Sequence, residues 1–428
     1  MSTLVLMFAI FGVLLLLEIP VAFAMLAASI SYMLIDGLFP VTVIVQRMAP
    51  GLESFPFLAI PTFILAGNLL NQTGVAERIF AFAMAIVGHI RGSLAHVNVV
   101  ASIIFAGMSG VAAADAAGLG AIEVRAMKKA GFTAGFSAAI TASSSIIGPI
   151  IPPSVIMVLY AVMAQVSIGD MFLAGIIPGL LMGAILMITV YILASLGRVV
   201  APVRQRARAP EVARTFLRAL PALFAPVLLV GGLLLGVATP TELGALTCAY
   251  AVFLGLAYRT LSWERLIYAL RETVVSCGII LFLVAVGIPF SWIIAVNNLP
   301  SILSESILSI SNDPLMVLLI ITLGLFVAGM VMEPTPILLI AVPMFYPLTQ
   351  TVGIDPVHFG VVVVLNLVIG VTTPPVGMIL FIMMDVAKVS LRELVREMMP
   401  FYVPLILLLF LVILFPGLTT FLPSILGR

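Results

Sequence analysis

Long apolar runs, parted by short polar or Gly/Pro-rich turns, occupy almost the whole chain. A helix needs roughly 20 apolar residues to cross a bilayer. The pattern predicts spans over Leu4–Leu17, Pro20–Ile35, Phe57–Leu70, Met171–Leu196, Leu220–Val237, Glu242–Tyr258, Val274–Val296 and Phe401–Leu422. The first two are short and join at Glu18-Ile19-Pro20. Gly74–Arg91 sets Glu77, Arg78, His89 and Arg91 around an apolar stripe, as in a helix lying along the membrane interface. Leu299–Ser311 matches it later in the chain. Gly37–Phe55 reads as a loop or surface segment, and Arg259–Arg271 as a surface helix.

Four apolar stretches break this pattern. Phe132–Met163 is long enough to span, yet its middle is Ser143-Ser144-Ser145-Ile146-Ile147-Gly148-Pro149-Ile150-Ile151-Pro152-Pro153-Ser154. Proline lacks an amide donor and clashes with the preceding turn. Backbone freed at membrane depth is tolerated only where it is buried in protein or lines a cavity. The stretch therefore reads as a broken membrane helix; the competing account is a simple proline kink with hydroxyls bonded back to their own helix. Val357–Val386 repeats the break at Gly370-Val371-Thr372-Thr373-Pro374-Pro375. Leu94–Lys129 and Pro314–Leu348 each hold two arms too short to span around a Gly-containing turn, at Gly107-Met108-Ser109-Gly110 and Gly329 to Pro336. Both read as re-entrant helical hairpins.

An internal repeat ties these together. An offset of 222 carries Gly148 onto Gly370, Pro152-Pro153 onto Pro374-Pro375, Ala106-Gly107-Met108 onto Ala328-Gly329-Met330, and Pro178 onto Pro400. Paired Gly/Pro-interrupted apolar segments are the sequence mark of a transporter site. The chain divides into a first repeat (1–197), a basic linker (198–218) and a second repeat (219–428).

Composition agrees. Hydrophobic residues are 63% and charged residues 9%, against roughly 25% charged in soluble domains. A net charge of +1 gives no reason to expect a nucleic-acid partner. The two cysteines, Cys248 and Cys277, form no disulfide framework or zinc spacing. Leu4–Leu17 lacks a basic leader and a cleavage site, so it reads as a retained helix. Cytoplasmic loops are enriched in Lys and Arg. The first hairpin ends in Arg125, Lys128 and Lys129, whereas its counterpart near Thr349–Gly353 has no basic residue. Lys388, Arg392 and Arg396 follow the second broken helix, whereas Val166–Asp170 after the first has none. The copies thus face opposite ways. Ten crossings place both termini outside and the linker, with six arginines, inside.

The chain resembles the large membrane subunit of tripartite ATP-independent periplasmic (TRAP) transporters. The resemblance is carried by Gly107-Met108-Ser109-Gly110 with Ala113-Ala114-Asp115, by Met127 to Phe132, by Gly148 to Ser154, by Thr239-Pro240-Thr241-Glu242 and by Gly370 to Pro375. It covers nearly all of the chain. Glu123-Val124-Arg125 departs from it, where a more apolar stretch is expected. The resemblance implies an all-α inverted-repeat carrier of the ion-transporter type in the bacterial inner membrane. It implies sodium-driven uptake of a small organic anion by an elevator motion, with sodium as coupling ion and no other cofactor. It also implies a periplasmic binding protein and a separate four-span membrane subunit as partners, besides membrane lipid. The alternative within the same architecture is a stand-alone sodium/anion carrier. No Ser/His or paired-Asp constellation at facing helical spacings argues for an intramembrane enzyme.

Sodium needs several oxygen ligands, which unwound carbonyls at half-helix C-termini supply. Pairing each hairpin tip with the break of its own half gives Gly107, Ser109, Ser144, Ser145 and Gly148 for one ion. It gives Gly329, Glu333, Thr335, Gly370, Thr372 and Thr373 for another. The competing role for the glycines is close helix packing. A carboxylate suits half-helix N-termini, where free amides and the positive dipole end point inward. Ser143, Ser154, Asn366 and Thr373 are its candidate side-chain donors, against back-bonding to the helix. Asp115 is an acid at membrane depth: it supports the first ion site or pairs with Arg125. Glu18 and Glu242 read as interfacial caps, and His89, His96 and His358 have no ligand spacing.

Overall fold

The computed structural model describes residues 2–53, 55–199 and 205–427. Arg428 and positions 200–204 of the linker lie outside the described residues. The chain opens with α1 (Ser2–Leu16), α2 (Val21–Asp36) and α3 (Thr42–Leu52), then a short 3-10 turn (Phe55–Leu58). The segment expected as loop or surface is thus largely helical. Next come α4 (Ala59–Gln72), α5 (Val75–Val87), and a hairpin of α6 (Leu94–Ser109) with α7 (Ala112–Ala117) and α8 (Leu119–Lys129). The broken helix follows as α9 (Ala134–Ser145) and α10 (Val155–Ala164), and then α11 (Ile168–Ser195).

After the linker the plan recurs: α12 (Ala209–Leu234), α13 (Pro240–Ala257), α14 (Trp263–Val296) and α15 (Leu299–Leu308). The second hairpin is α16 (Pro314–Gly329) with α17 (Pro334–Thr351). The second broken helix is α18 (Pro356–Gly370) with α19 (Met378–Ala387). The described chain ends with α20 (Leu391–Leu414) and α21 (Gly417–Leu426). Among the described residues five helices, α11, α12, α13, α14 and α20, are long and apolar enough to cross a membrane in one piece. The others are the elements of the hairpins and breaks, together with α1–α5, α15 and α21. The fold is an all-α polytopic membrane protein with two helical hairpins and two broken helices.

Three element boundaries differ from expectation. The surface helix over Arg259–Arg271 and the span Val274–Val296 are one 34-residue helix, α14. Ser262 caps its start by accepting from the Arg265 amide, and no proline interrupts the chain until Pro289. A change from charged to apolar residues does not end a helix; a missing donor or an αL residue does. The final span stops at Leu414, because Pro416 follows and a separate α21 starts at Gly417. The descending arm of the first hairpin is split at Gly118. Glu242 does cap α13: its carboxylate accepts from the Thr239 amide at 2.7 Å, completing a capping box.

The breaks follow from missing donors. α9 unwinds after Ser145, where Ile147 and Gly148 donate back to the Ser144 and Ser145 carbonyls at 3.0 and 3.2 Å. Pro149, Pro152 and Pro153 have no amide hydrogen to continue the helix. α10 restarts once Ser154 caps it, accepting from the Met157 amide at 3.2 Å. In the second half, Val376 and Gly377 both donate to the Met330 carbonyl at 3.2 Å, so break and hairpin tip are joined through backbone.

Candidate functional site

Each hairpin tip is pressed against the break of its own half. At Gly110 the backbone turns with φ of +64°, and an added Cβ would overlap the Pro153 carbonyl oxygen. Only glycine meets both demands. At Gly370 an added Cβ would lie 2.8 Å from both Cα and C of Gly329. Helix α4 closes on the first tip as well, because a Cβ on Gly67 would lie 2.9 Å from the Met108 carbonyl oxygen.

Between these parts lies a cavity of about 330 Å³. Its wall takes residues from both tips (Ser109, Gly110, Glu333), both breaks (Pro149, Val371) and helices α4 and α14 (Asn68, Ser276). Four helices begin on it: α7 at Val111–Ala114, α10 at Val155–Ile156, α17 at Pro334–Thr335 and α19 at Met378–Ile379. Their free amides and dipole ends make the wall attractive to an anion. Among the described residues Glu333 is the only ionisable one on it, and no Lys, Arg or His contributes. Helices α6, α9, α16 and α18 end around the same tips and breaks, at Ser109, Ser145, Gly329 and Gly370. Their last carbonyls lack helical partners and suit a cation.

The expected residues separate into two groups. Ser109, Glu333 and Thr335 line the cavity. The hydroxyl of Ser109 and both carboxylate oxygens of Asp115 are buried without a hydrogen-bond partner, and Asp115 is not paired with Arg125. By contrast, the Ser143 hydroxyl donates to the Ala139 carbonyl at 2.9 Å and faces Met398. Ser145 donates to Ala142, and both Thr372 and Thr373 donate to the Ile369 carbonyl, at 2.8 and 2.9 Å. Ser154 caps α10. The Asn366 amide donates to the Thr322 carbonyl of α16 at 2.8 Å. These hydroxyls and this amide hold the breaks in shape. Gly107 faces Pro226 of α12, Gly148 approaches Val111, and Gly329 meets Gly370.

One buried network lay outside the sequence expectations. Ser144 donates to the Asn98 side-chain carbonyl at 2.6 Å, and the Asn98 amide donates to Glu123 at 2.6 Å and Thr141 at 2.7 Å. Ser102 donates to Ser144 at 3.2 Å. Glu123 is fully buried and one of its oxygens is unpartnered. The available signals were Asn98 and Ser102 four apart, Thr141 and Ser144 three apart, and an acid at the one place where the family pattern lapsed. Among the described residues no three His, Cys, Asp or Glu side chains cluster in a way that would hold a metal ion.

Comparison with known proteins decides the family. The model for "Tripartite ATP-independent periplasmic transporter, DctM component" matches residues 8–418. This chain belongs to the DctM family. It is 42% identical to the sialic acid TRAP transporter large permease protein SiaM of Vibrio cholerae, over 95% of each chain. It is 36% identical to the 2,3-diketo-L-gulonate TRAP transporter large permease protein YiaN of Escherichia coli, over 94% of each. It is 35% identical to the C4-dicarboxylate TRAP transporter large permease protein DctM of Pseudomonas aeruginosa, over 88% of each. The crystal structure of the YdaH transporter of Alcanivorax borkumensis, described as having an unusual topology, superposes with a TM-score of 0.66. That match covers 89% of both chains at 15% identity and speaks for the fold alone. As a DctM-family member the chain is a multi-pass inner-membrane permease component for organic acids, and not an enzyme.

Proposed function

We propose that this permease carries a small organic acid inward, driven by sodium, with the cavity between the two tips and two breaks as its site. The observation that carries the reading is the convergence of four helix starts on a cavity without a basic side chain. A carboxylate there is met by backbone amides and dipole ends, and its remaining charge is balanced by cations at the neighbouring helix C-termini. The oxygens favoured for the first ion are the Asp115 carboxylate, the Ser109 hydroxyl and the carbonyls around Gly107 and Gly148. For the second they are Glu333, Thr335 and the carbonyls at Gly329 and Gly370. The hydroxyls of Ser144, Ser145, Thr372 and Thr373 shape these sites from behind.

The relatives named for sialic acid, 2,3-diketo-L-gulonate and C4-dicarboxylates motivate an acid of that size as substrate. A periplasmic binding protein delivers it, and a four-span subunit flanks the scaffold helices. In this reading the hairpins and breaks move together past α4 and α14, with the linker cytoplasmic and both termini periplasmic. The test is uptake by the purified transporter reconstituted with its partner subunit and binding protein. Uptake should vanish without a sodium gradient and be indifferent to ATP. Full uptake with a proton gradient alone would sink the proposal.

A further inference from the structure

The cavity leaves a second concave feature unused. Between α5 and the start of α12 runs a groove of about 580 Å³. Phe80 and Met84 form its apolar floor, and Arg206, Arg208, Glu211 and Thr215 form its rim. The Phe82 and Phe216 rings, 5.5 Å apart, hold the two helices together beside it. Arg206 and Arg208 are exposed. The only ion pair among the described residues is Lys388–Asp385, so neither arginine is held by a carboxylate there, Glu211 included.

We propose that this groove binds the headgroup of an anionic phospholipid. Its position along α12 argues for lipid over other anions. Phe216, Leu217, Leu220, Phe224 and Val227 are 41–64% exposed, an outward apolar face, interrupted at Arg218, that begins just over two turns beyond Arg208. The arginines therefore sit on the polar side of the start of this face, within the depth of a headgroup layer. Guanidinium forks match phosphate oxygens in geometry as well as charge, and basic clusters beside a membrane helix attract anionic lipid. An apolar floor under a cationic rim fits a molecule that carries both a phosphate and acyl chains. Free phosphate has no use for the floor.

The test is lipid retention. The full-length transporter is placed in nanodiscs of equal phosphatidylglycerol and phosphatidylcholine, and the lipids that stay bound on release are counted by native mass spectrometry. The wild type should keep phosphatidylglycerol in preference. Arg206→Gln with Arg208→Gln should lower its retention roughly fivefold per arginine. A charge-matched control, Arg392→Gln with Arg396→Gln, should leave it unchanged. Equal retention by the two double variants, or no preference in the wild type, would overturn the proposal. Displacement of the lipid by millimolar inorganic phosphate would also overturn it, by making the groove a plain anion site.

Discussion

Replacing Gly370 with alanine tests how the second tip and break meet. The new methyl would lie 2.8 Å from Gly329 Cα and C, and 3.1 Å from its carbonyl oxygen. Non-bonded carbons rest at about 3.5–4.0 Å, so the tip must retreat by on the order of 1 Å. All three opposing atoms are backbone, so no rotamer change relieves the contact. Overpacking of this kind costs about 1–3 kcal/mol. Retreat also stretches the bonds from Val376 and Gly377 to Met330, already at 3.2 Å. The closed arrangement should therefore lose roughly five- to 150-fold in population. Uptake in proteoliposomes should show raised half-saturation for sodium and substrate, with normal protein in the membrane. Gly324→Ala, in the opposing helix α16, meets nothing within 4 Å and should be neutral or slightly stabilising. Wild-type half-saturation and melting temperature in Gly370→Ala would refute the reasoning.

Three further outcomes are expected. Asp115→Asn, which removes a buried and unpartnered carboxylate, should abolish or strongly weaken the sodium dependence of uptake, while Asp385→Asn on the exposed surface should not; equal sodium curves would contradict the ion role. Thr373→Ala removes one of two hydroxyls that donate to the Ile369 carbonyl at the break and should raise half-saturation by the roughly two- to twelvefold that a net hydrogen bond of about 0.5–1.5 kcal/mol implies. Thr351→Ala, exposed and bonded only within its own helix, should stay within about 0.5 kcal/mol of wild type, so matching uptake by both at limiting sodium would oppose this. Arg206→Cys should react with membrane-impermeant thiol reagents only from the cytoplasmic side, and periplasmic labelling would reverse the orientation read from charge.

Much of the architecture was legible because its signals are covalent. Proline has no amide hydrogen wherever it sits, so Pro149, Pro152 and Pro153 mark one break and Pro374 and Pro375 the other. What the sequence could not supply was direction. Ser143, Ser144 and Ser145 are consecutive on a helix, where each step turns about 100°. Three successive hydroxyls cannot face one cavity, and they face Ala139, Asn98 and Ala142 instead. Glu123 was legible only as an irregularity. Its partner Asn98 lies 25 residues earlier on the opposite arm, so their contact exists only once the hairpin has closed. The continuity of α14 was missed for the opposite reason: its charged and apolar parts look like two elements, although nothing between them breaks a helix.

The central claim is that sodium and substrate meet in the cavity between tips and breaks. It is tested most directly by thiol labelling of a single cysteine at Ser276, on the cavity wall, with Cys248 and Cys277 replaced. In the reconstituted transporter, sodium should slow labelling relative to potassium, and a transported organic acid should slow it further only when sodium is present. A cysteine at exposed Thr351 should label at one rate throughout. Protection of position 276 by the acid without sodium, or no protection by either, would contradict the account.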